Sequence, residues 1–405
     1  MTANHAPRST TPKRIVDLEA ARRRQGTKAD HVLSLLTAGD PLADAVIVEL
    51  DLHGSQARRA LDAGLRNGLA SLGHRPPEAV AALLRQLEAT PSWVDPLKLH
   101  RGDVVSLSVP PMWFRLCSIT GALANVHASP AIARMLAGAG RPADMAARRL
   151  AETGVWARKT IRPGGLLRGG PGYVATAEIR LAHARMRADS LTDWDAGARG
   201  LPVGRLDMAR TWLGLTLIAF QALAAVGIDI TAEEERSLYQ YWSYVAHLLG
   251  LDESLHKDVA DHAGARRLQD LLDATVAAPD DNSKALTAVM VDAQARAMAG
   301  APGAVLSEEQ VRHLIQSVLR RALGEETGDR LGIPGVPAAT DLMPLISQLN
   351  RQARYWQTYS PASSHEARRR TLEGLAPDLQ AAVLPCDSSS CRRHAEAVRP
   401  SAWAA

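Results

Sequence analysis

The hydrophobic pattern of this chain is helical over most of its length. Apolar positions recur at the spacing that keeps one face of an α-helix buried, and the helix formers alanine and leucine are abundant. Ser129-Pro130 and Arg141-Pro142 each mark the start of a predicted helix. The other predicted helices cover 28–38, 56–72, 77–89, 206–226, 231–250, 284–300, 307–324 and 341–357. The pattern predicts an all-α fold.

Two consecutive helices are predicted to form the middle of the core. The stretch 206–226 is largely apolar and is followed by Gly227, a typical residue after a helix end. Thr231 is predicted to cap the next helix, with Glu234 as its capping-box partner. Thr216, inside the first helix, has two interpretations: its hydroxyl bonds back to a carbonyl of its own helix, or it donates into a cofactor cavity.

The pattern divides the chain into one domain and two ends. Residues 1–26 are polar and basic and predict a disordered N-terminal lead. A single helical domain is predicted over 27–360, since a chain of 405 residues can bury one large core. The stretch 361–405 is charged and predicts a disordered tail.

Composition and charge narrow the choice of partners and compartment. The formal net charge of +4 comes largely from scattered arginines, which argues against a nucleic-acid partner. No apolar run reaches the ~18 residues of a membrane span, and residues 1–30 lack the apolar core of a signal peptide. Three cysteines, an odd number, favour a reducing compartment. These features predict a cytoplasmic protein without a membrane span.

One histidine stands on an otherwise apolar helical face. Ile179, His183 and Met186 share that face, and arginines at 180, 185 and 187 flank it. A b-type haem needs one axial nitrogen, a dry wall and positive charge for its propionates, so the pattern suggests haem binding. The alternative, and the commoner case, is a core histidine satisfied by hydrogen bonds. Of the other histidines, His247 is the second candidate for an iron ligand and His127 the third.

Five short elements in the stretch 90–345 carry a family resemblance. They are R-L-x-E-T at 149–153, R-P-G-G-L at 162–166, G-x-G-Y at 170–173, R-L-x-H-A-R-x-R at 180–187 and W-x-x-x-x-x-L-L-G at 242–250. These elements are similar to those of the latex-clearing-protein family, the rubber oxygenases and their relatives with an MpaB-type oxygenase domain.

The resemblance implies a globin-like helical bundle around a buried pocket for non-covalent haem b. His183 would be the iron ligand, and Arg149 and Thr153 would line the pocket as the catalytic residues. Arg187 and Thr216 complete the predicted cofactor-binding set with these three. The rubber-cleaving relatives add dioxygen across a carbon–carbon double bond of polyisoprene. The resemblance therefore implies a haem-dependent oxygenase that uses dioxygen on an apolar, unsaturated substrate.

Two positions depart from the rubber-cleaving pattern. That pattern has a lysine just before the threonine, as a distal ligand, and a glutamate base four helical turns before the arginine. Here these positions are Glu152 and Ala133. Dioxygenase cleavage, monooxygenation and peroxidase-like oxidation all stay open. Two other classes also stay open: a haem-binding sensor or carrier without turnover, and a helical enzyme that uses no haem.

Overall fold

The computed structural model describes residues 18–138 and 142–375 as a succession of helices without a β-strand among them. The helices are α1 Leu18–Gln25, α2 Thr27–Ser34, α3 Pro41–His53, α4 Ser55–Asn67, α5 Glu78–Glu88, α6 Pro96–Ser108, α7 Pro111–Trp113, α8 Gly121–His127, α9 Pro130–Ala137, α10 Pro142–Thr160, α11 Pro171–Ser190, α12 Ala196–Arg199, α13 Arg205–Leu213, α14 Ala219–Ala225, α15 Ala232–Leu248, α16 His262–Asp273, α17 Asp281–Ala299, α18 Glu308–Leu323, α19 Glu325–Arg330, α20 Met343–Tyr359 and α21 Pro361–Leu375. The prediction of an all-α fold is confirmed.

Helix α15 lies in the centre of the core and packs along α6. The two helices approach closely because Gly102 of α6 has no side chain: a Cβ there would lie 2.6 Å from the Tyr241 ring. The predicted capping box opens α15, with the Thr231 hydroxyl accepting from the Glu234 amide and the Glu234 carboxylate accepting from the Thr231 amide. The buried face of α15 is the predicted one: Tyr239, Trp242, Val245, Ala246 and Leu249 are all buried.

Two π-helical segments lie within the central helices. Phe114–Thr120 joins α7 to α8, and Gly214–Ile218 joins α13 to α14, so the predicted helix over 206–226 is continuous but widened in its middle. A Cβ on Gly214 would lie 2.9 Å from the Ala122 Cα, so the second segment packs backbone to backbone on α8. π-Helical turns recur at functional sites in proteins.

Helix α14 ends where the sequence predicts. Gly227 follows α14 with a φ of 84°, a conformation that glycine adopts without strain. A Cβ there would lie 2.2 Å from the Ser347 carbonyl oxygen, so Gly227 also allows α20 to cross at this point.

The structure differs from the predicted pattern at both ends of the domain and at several helices between them. Helix α1 lies within the predicted lead, and α21 occupies 361–375 of the predicted tail, with Thr371 and Leu375 buried. Helices α3, α6 and α16, and the shorter α12 and α19, fall in stretches where no helix is predicted. The rest of the lead, residues 1–17, and the rest of the tail, residues 376–405, lie outside the described residues, as do 139–141.

Two helical stretches are long and apolar enough to cross a membrane by length and composition. In Arg205–Ala225, 72% of the most apolar 18-residue stretch is buried in the protein, as in a core helix. In Thr27–His53, near the N-terminus, 33% of the corresponding stretch is buried. Core helices of soluble proteins and signal sequences pass the same test, so two such stretches are weak evidence for a span. The absence of a membrane span stays a prediction.

Candidate functional site

His183 lies in the second half of α11 with a neutral, partly unsatisfied ring. Its Nδ1 atom is buried and has no hydrogen-bond partner. Burial lowers the pKa of the imidazole to about 4, and the nearby Arg187 guanidinium lowers it further. The ring is therefore neutral at physiological pH and keeps a free nitrogen lone pair, which is the form of histidine that binds metals.

Helices α10 and α11 are antiparallel neighbours whose register is fixed near their connecting loop. The Trp156 indole donates to the Thr176 hydroxyl at 3.0 Å. Seven residues before Trp156 lies Arg149, and seven residues after Thr176 lies His183. Because seven residues make about two helical turns, this register is expected to place Arg149 and His183 at a similar level along the two helices. The Arg149 guanidinium also lies near His127, where burial and, after it, this charge lower the pKa of the imidazole to about 3.

Arg149 is a partly buried cation that makes no hydrogen bond or close ion pair with a described residue. Glu152 pairs directly with Arg148, at 2.6 Å, and acts on Arg149 from farther away. Burial lowers the pKa of the Arg149 guanidinium to about 10, and the Glu152 carboxylate opposes this shift. The charge is still present at neutral pH. Its guanidinium hydrogens are thus available to an anionic group.

The other two predicted polar residues differ in what their hydroxyls do. Thr153 is partly buried one turn after Arg149 and makes no hydrogen bond to a described residue. Thr216 is fully buried in the π-helical segment Gly214–Ile218, and its hydroxyl donates to the Trp212 carbonyl oxygen at 2.8 Å. The Thr216 hydroxyl therefore bonds back to a carbonyl of its own helix, which is the first of the two interpretations.

Arg187 is engaged by protein groups on all three of its nitrogens. Its Nε and Nη2 atoms donate to the Asp44 carboxylate, and its Nη1 atom donates to the Val203 carbonyl oxygen. Val203 has a φ of 49°, which a β-branched residue rarely adopts, so this carbonyl is held in a strained turn. Arg187 therefore braces α11 against α3 and this turn. The sequence could not show Asp44 as the partner because it is 143 residues away.

A small, partly open cleft lies beside His183. Its wall combines α11, the start of α13 and two turns: Gly39, Asp40, Arg180, His183, Arg187, Val203, Gly204, Arg205, Met208, Leu249, Gly250 and Leu251. Arg180, like Arg187, is already paired, with Asp40 at 2.5 Å. The arginines that flank His183 in sequence thus stabilise the helix that carries it, and Arg149 is the cation left for a ligand.

The two positions that depart from the rubber-cleaving pattern lie in different environments. Ala133 is fully buried in a small apolar cluster with Val126, Ile132, Leu136 and Leu286, and Met186 of α11 packs on this cluster. Glu152 is partly buried and paired with Arg148. The surroundings of Ala133, against α11, are therefore apolar at the position where the rubber-cleaving pattern has a carboxylate.

The remaining candidate histidines have partners or close ring contacts. His247 Nε2 lies 3.1 Å from the Gln86 amide nitrogen, and His127 Nδ1 lies 3.4 Å from the Thr287 hydroxyl. His256, for which the sequence favours a structural or surface role over metal binding, is fully buried between Trp93 and Trp212, and neither of its ring nitrogens has a hydrogen-bond partner. In the described part of the chain, no group of three or more His, Cys, Asp or Glu side chains is placed to hold a metal ion. A metal that is already held by a macrocycle needs only one nitrogen ligand from the protein, so a haem would not require such a group.

A buried carboxyl group holds the connector between α10 and α11. Asp103 of α6 accepts from the Gly164 amide at 3.3 Å and lies beside Tyr241, whose hydroxyl donates to the Thr160 carbonyl oxygen at 2.5 Å. Burial raises the pKa of the Asp103 carboxyl to about 7. No sequence pattern marks this residue, because its burial results from the tertiary packing of α6 on α15.

We expect Asp103 to make the fold less stable as the pH rises from about 4 to about 7. The folded protein holds the proton more tightly than the unfolded chain, so ionisation costs up to roughly 4 kcal/mol above this range. Asp103→Asn keeps an acceptor for Gly164 but cannot ionise. Its free energy of unfolding, measured by denaturant titration, should change much less between pH 5 and pH 8 than that of the wild type. Equal pH dependence in the two proteins would contradict the assignment.

Residues 106–358 match the family model described as "ER-bound oxygenase mpaB/B'/Rubber oxygenase, catalytic domain". This match covers more than half of the chain and assigns the helical fold described above to an oxygenase class. The chain belongs to the ER-bound oxygenase mpaB/B'/rubber oxygenase catalytic-domain family.

A solved structure described as "Structure of Latex Clearing Protein LCP in the closed state" has the same fold. The TM-score is 0.60 at 20% sequence identity, over 84% of this chain and 91% of that chain. A comparison with curated proteins gives no match.

Proposed function

We propose that this protein is a haem b-dependent oxygenase that acts on a small, apolar, unsaturated substrate. The observation that carries the proposal is the neutral imidazole of His183 in α11, whose buried Nδ1 atom has no hydrogen-bond partner. Arg149 of the neighbouring helix α10 supplies a cation that makes no hydrogen bond to a described residue. Haem b would need a nitrogen for its iron and a positive charge for its propionates.

Each residue has a role in this proposal. When bound, haem b supplies an iron that activates dioxygen. His183 would hold the iron through a ring nitrogen. Arg149 would bind a propionate or stabilise negative charge that develops during oxygen reduction, since its guanidinium stays protonated at neutral pH. Thr153 would offer its free hydroxyl to the same anionic group.

The apolar surroundings of Ala133 support the choice of an apolar substrate and a reaction that differs from rubber cleavage. A methyl group in a cluster of Val, Ile and Leu side chains excludes water and cannot take up a proton. A reaction that needs a carboxylate base at this position is therefore disfavoured. We further propose a cytoplasmic location, supported by the odd number of cysteines, and subcellular fractionation tests it.

The direct test uses the purified full-length protein loaded with haem. We expect a strong Soret band and consumption of dioxygen when candidate polyenes are added. Mass spectrometry of the products under isotopically labelled dioxygen then distinguishes incorporation of one oxygen atom from incorporation of two. A Soret band without oxygen consumption on any alkene would favour the sensor or carrier, and no Soret band would contradict haem use.

Replacing Arg149 should weaken the function while it strengthens the apo fold. Arg149→Leu removes a partly buried charge that makes no direct hydrogen bond to a described residue, so we expect the apo protein to gain up to about 1 kcal/mol. The same change should lower the affinity for haem by about tenfold or more, because a charge-assisted contact is lost. Haem titration and denaturant unfolding measure the two effects.

Arg148→Leu is the matched control, because Arg148 is the neighbour of Arg149 in sequence and its guanidinium pairs with Glu152. We expect it to change haem affinity by less than about twofold. An Arg149→Leu protein that binds haem and turns over like the wild type would remove Arg149 from the site.

A further inference from the structure

Helix α20 directs polar side chains toward the protein and large apolar side chains toward the solvent. On the inner side, the Asn350 amide donates to the Val226 carbonyl oxygen. Arg354 donates to the Asp229 carbonyl oxygen, the Ser108 hydroxyl and the Glu234 carboxylate. The large apolar side chains of α20 face outward. They are Leu345, Leu349, Tyr355, Trp356 and Tyr359, each more than half exposed.

The outward side chains form one continuous apolar face, which we call the α20 face. Leu345, Leu349, Trp356 and Tyr359 recur at helical spacing along a single stripe, and the Tyr355 ring lies between its two aromatic neighbours. The centroid of the Tyr355 ring lies 5.6 Å from that of Trp356 and 4.6 Å from that of Tyr359. An apolar stripe of this size, on a helix fixed by its polar side, is typical of an interaction surface.

The charge beside the α20 face indicates an anionic partner. Helix α20 contains two arginines and no acidic residue, and α21 adds Arg368, Arg369 and Arg370 against Glu366 and Glu373. Arg354 pairs with Glu234 on the inward side, and Arg351 lies 3.7 Å from Asp229. The unbalanced positive charge of the hairpin therefore lies on α21, whose three consecutive arginines are matched by two glutamates. If a second copy of the chain docked here about a twofold axis, like charges would face each other.

The residue types identify the kind of anionic partner. Tyrosine and tryptophan are the side chains that proteins place at the boundary between lipid tails and headgroups, and arginine binds the phosphate beside them. An exposed apolar stripe with this aromatic cluster and arginines alongside fits a bilayer surface in which the leucines enter the acyl region.

A second feature lies against the same helix. A small, mostly apolar pocket is lined by Arg354 of α20 and by residues of the core that include Phe114, Leu215, Leu223 and Trp242. Arg354 thus belongs both to the contacts that hold α20 in place and to the wall of this pocket. The α20 face and the pocket lie on opposite sides of one helix.

We propose that the α20 face docks the protein on the surface of an anionic phospholipid bilayer. The leucine and aromatic side chains enter the interface, and the arginines of α21 bind the lipid phosphates. The docking is peripheral, and it does not require that the protein be an oxygenase.

The test is flotation of the full-length protein with vesicles of phosphatidylcholine alone or of phosphatidylcholine and phosphatidylglycerol in equal parts. We expect binding to the anionic vesicles that weakens with salt. Replacing Leu349, Trp356 and Tyr359 together with serine should lower this binding by roughly tenfold or more, because less apolar area enters the lipid. Replacing Arg368, Arg369 and Arg370 with glutamine should lower binding to anionic vesicles and leave binding to neutral ones unchanged.

A matched control replaces Leu52, Leu97 and Val305 with serine. These side chains are 73%, 73% and 92% exposed, lie outside α20 and α21, and should not affect flotation. Wild type that fails to float with anionic vesicles would overturn the proposal, as would equal losses in the two serine variants. Sedimentation decides the remaining case: a wild-type dimer that only the α20 serine variant dissociates, with no vesicle binding, would assign the face to a second copy.

Discussion

His183→Ala is expected to abolish the Soret band of the haem-loaded protein. The imidazole is the only group that the proposal assigns to the iron, and loss of a ligand costs more affinity than the 10–100-fold that loss of a ligand's own hydrogen-bond partner costs. We therefore expect haem affinity to fall by at least about a hundredfold. The helix itself should persist, because His183 makes no hydrogen bond through its buried Nδ1 atom. Absorbance and circular dichroism measure the two properties.

Two controls make this result specific. His247→Ala and His127→Ala remove imidazoles that have other neighbours, Gln86 and Thr287, and should keep the Soret band. A His183→Gly protein leaves a cavity that free imidazole can enter, so added imidazole should restore part of the band. A band that survives His183→Ala unchanged, or that disappears in His247→Ala, would assign the iron to another residue.

The helices that could be predicted are those whose ends carry local signals. Thr231 and Glu234 are three residues apart and bond to each other, so the start of α15 is determined by nearby sequence. Gly227 ends α14 for a reason confined to its own backbone. Helix α3 begins with the same kind of signal, Asp40 before Pro41, but its run of valine, isoleucine and leucine does not separate one apolar face clearly.

The π-helical segments were not predictable because their cause lies in another part of the chain. Gly214 meets the backbone of Ala122, and a local pattern cannot show a contact with a residue so far away. For the same reason the sequence showed Thr216 as a residue with two possible partners. The structure decides where its proton goes, because the Trp212 carbonyl oxygen lies 2.8 Å away.

The candidate site was predictable where residues share a helix face and not where they meet across the fold. The spacing of Arg149 and Thr153 on one helix, and the single imidazole at 183, were visible in the sequence. The arginines around His183 were visible too, but their carboxylate partners were not. Arg180 and Asp40 are 140 residues apart, so a pair that stabilises the helix looked like charge for a cofactor.

Arg180→Met is expected to lower the free energy of unfolding by about 3–5 kcal/mol. The guanidinium donates to both oxygens of Asp40, at 2.5 and 3.0 Å, and to the Gln86 amide oxygen at 2.6 Å. The side chain of Arg180 is 4% exposed and that of Asp40 is 13% exposed. Removing one partner of a buried pair leaves the other as an uncompensated buried charge, which is the main part of the cost.

Arg185→Met on the same helix is the matched control. Arg185 also donates to both oxygens of an aspartate of α3, Asp51, at 2.6 and 2.8 Å, but the Asp51 side chain is 51% exposed. Water already solvates that carboxylate, so we expect a loss of less than about 1 kcal/mol. The comparison holds the helix pair and the two-point contact with an aspartate constant, and Arg180 differs in its burial and in its bond to Gln86.

A double variant isolates the buried charge. Adding Asp40→Asn to Arg180→Met removes the carboxylate that the single variant leaves without a partner, and asparagine still caps α3 through its side-chain oxygen. The double variant should therefore be more stable than Arg180→Met alone, as measured by urea unfolding of the apo protein. If it is less stable, or if the Arg180 and Arg185 variants lose equal amounts, burial of the pair does not determine how firmly α11 and His183 are held.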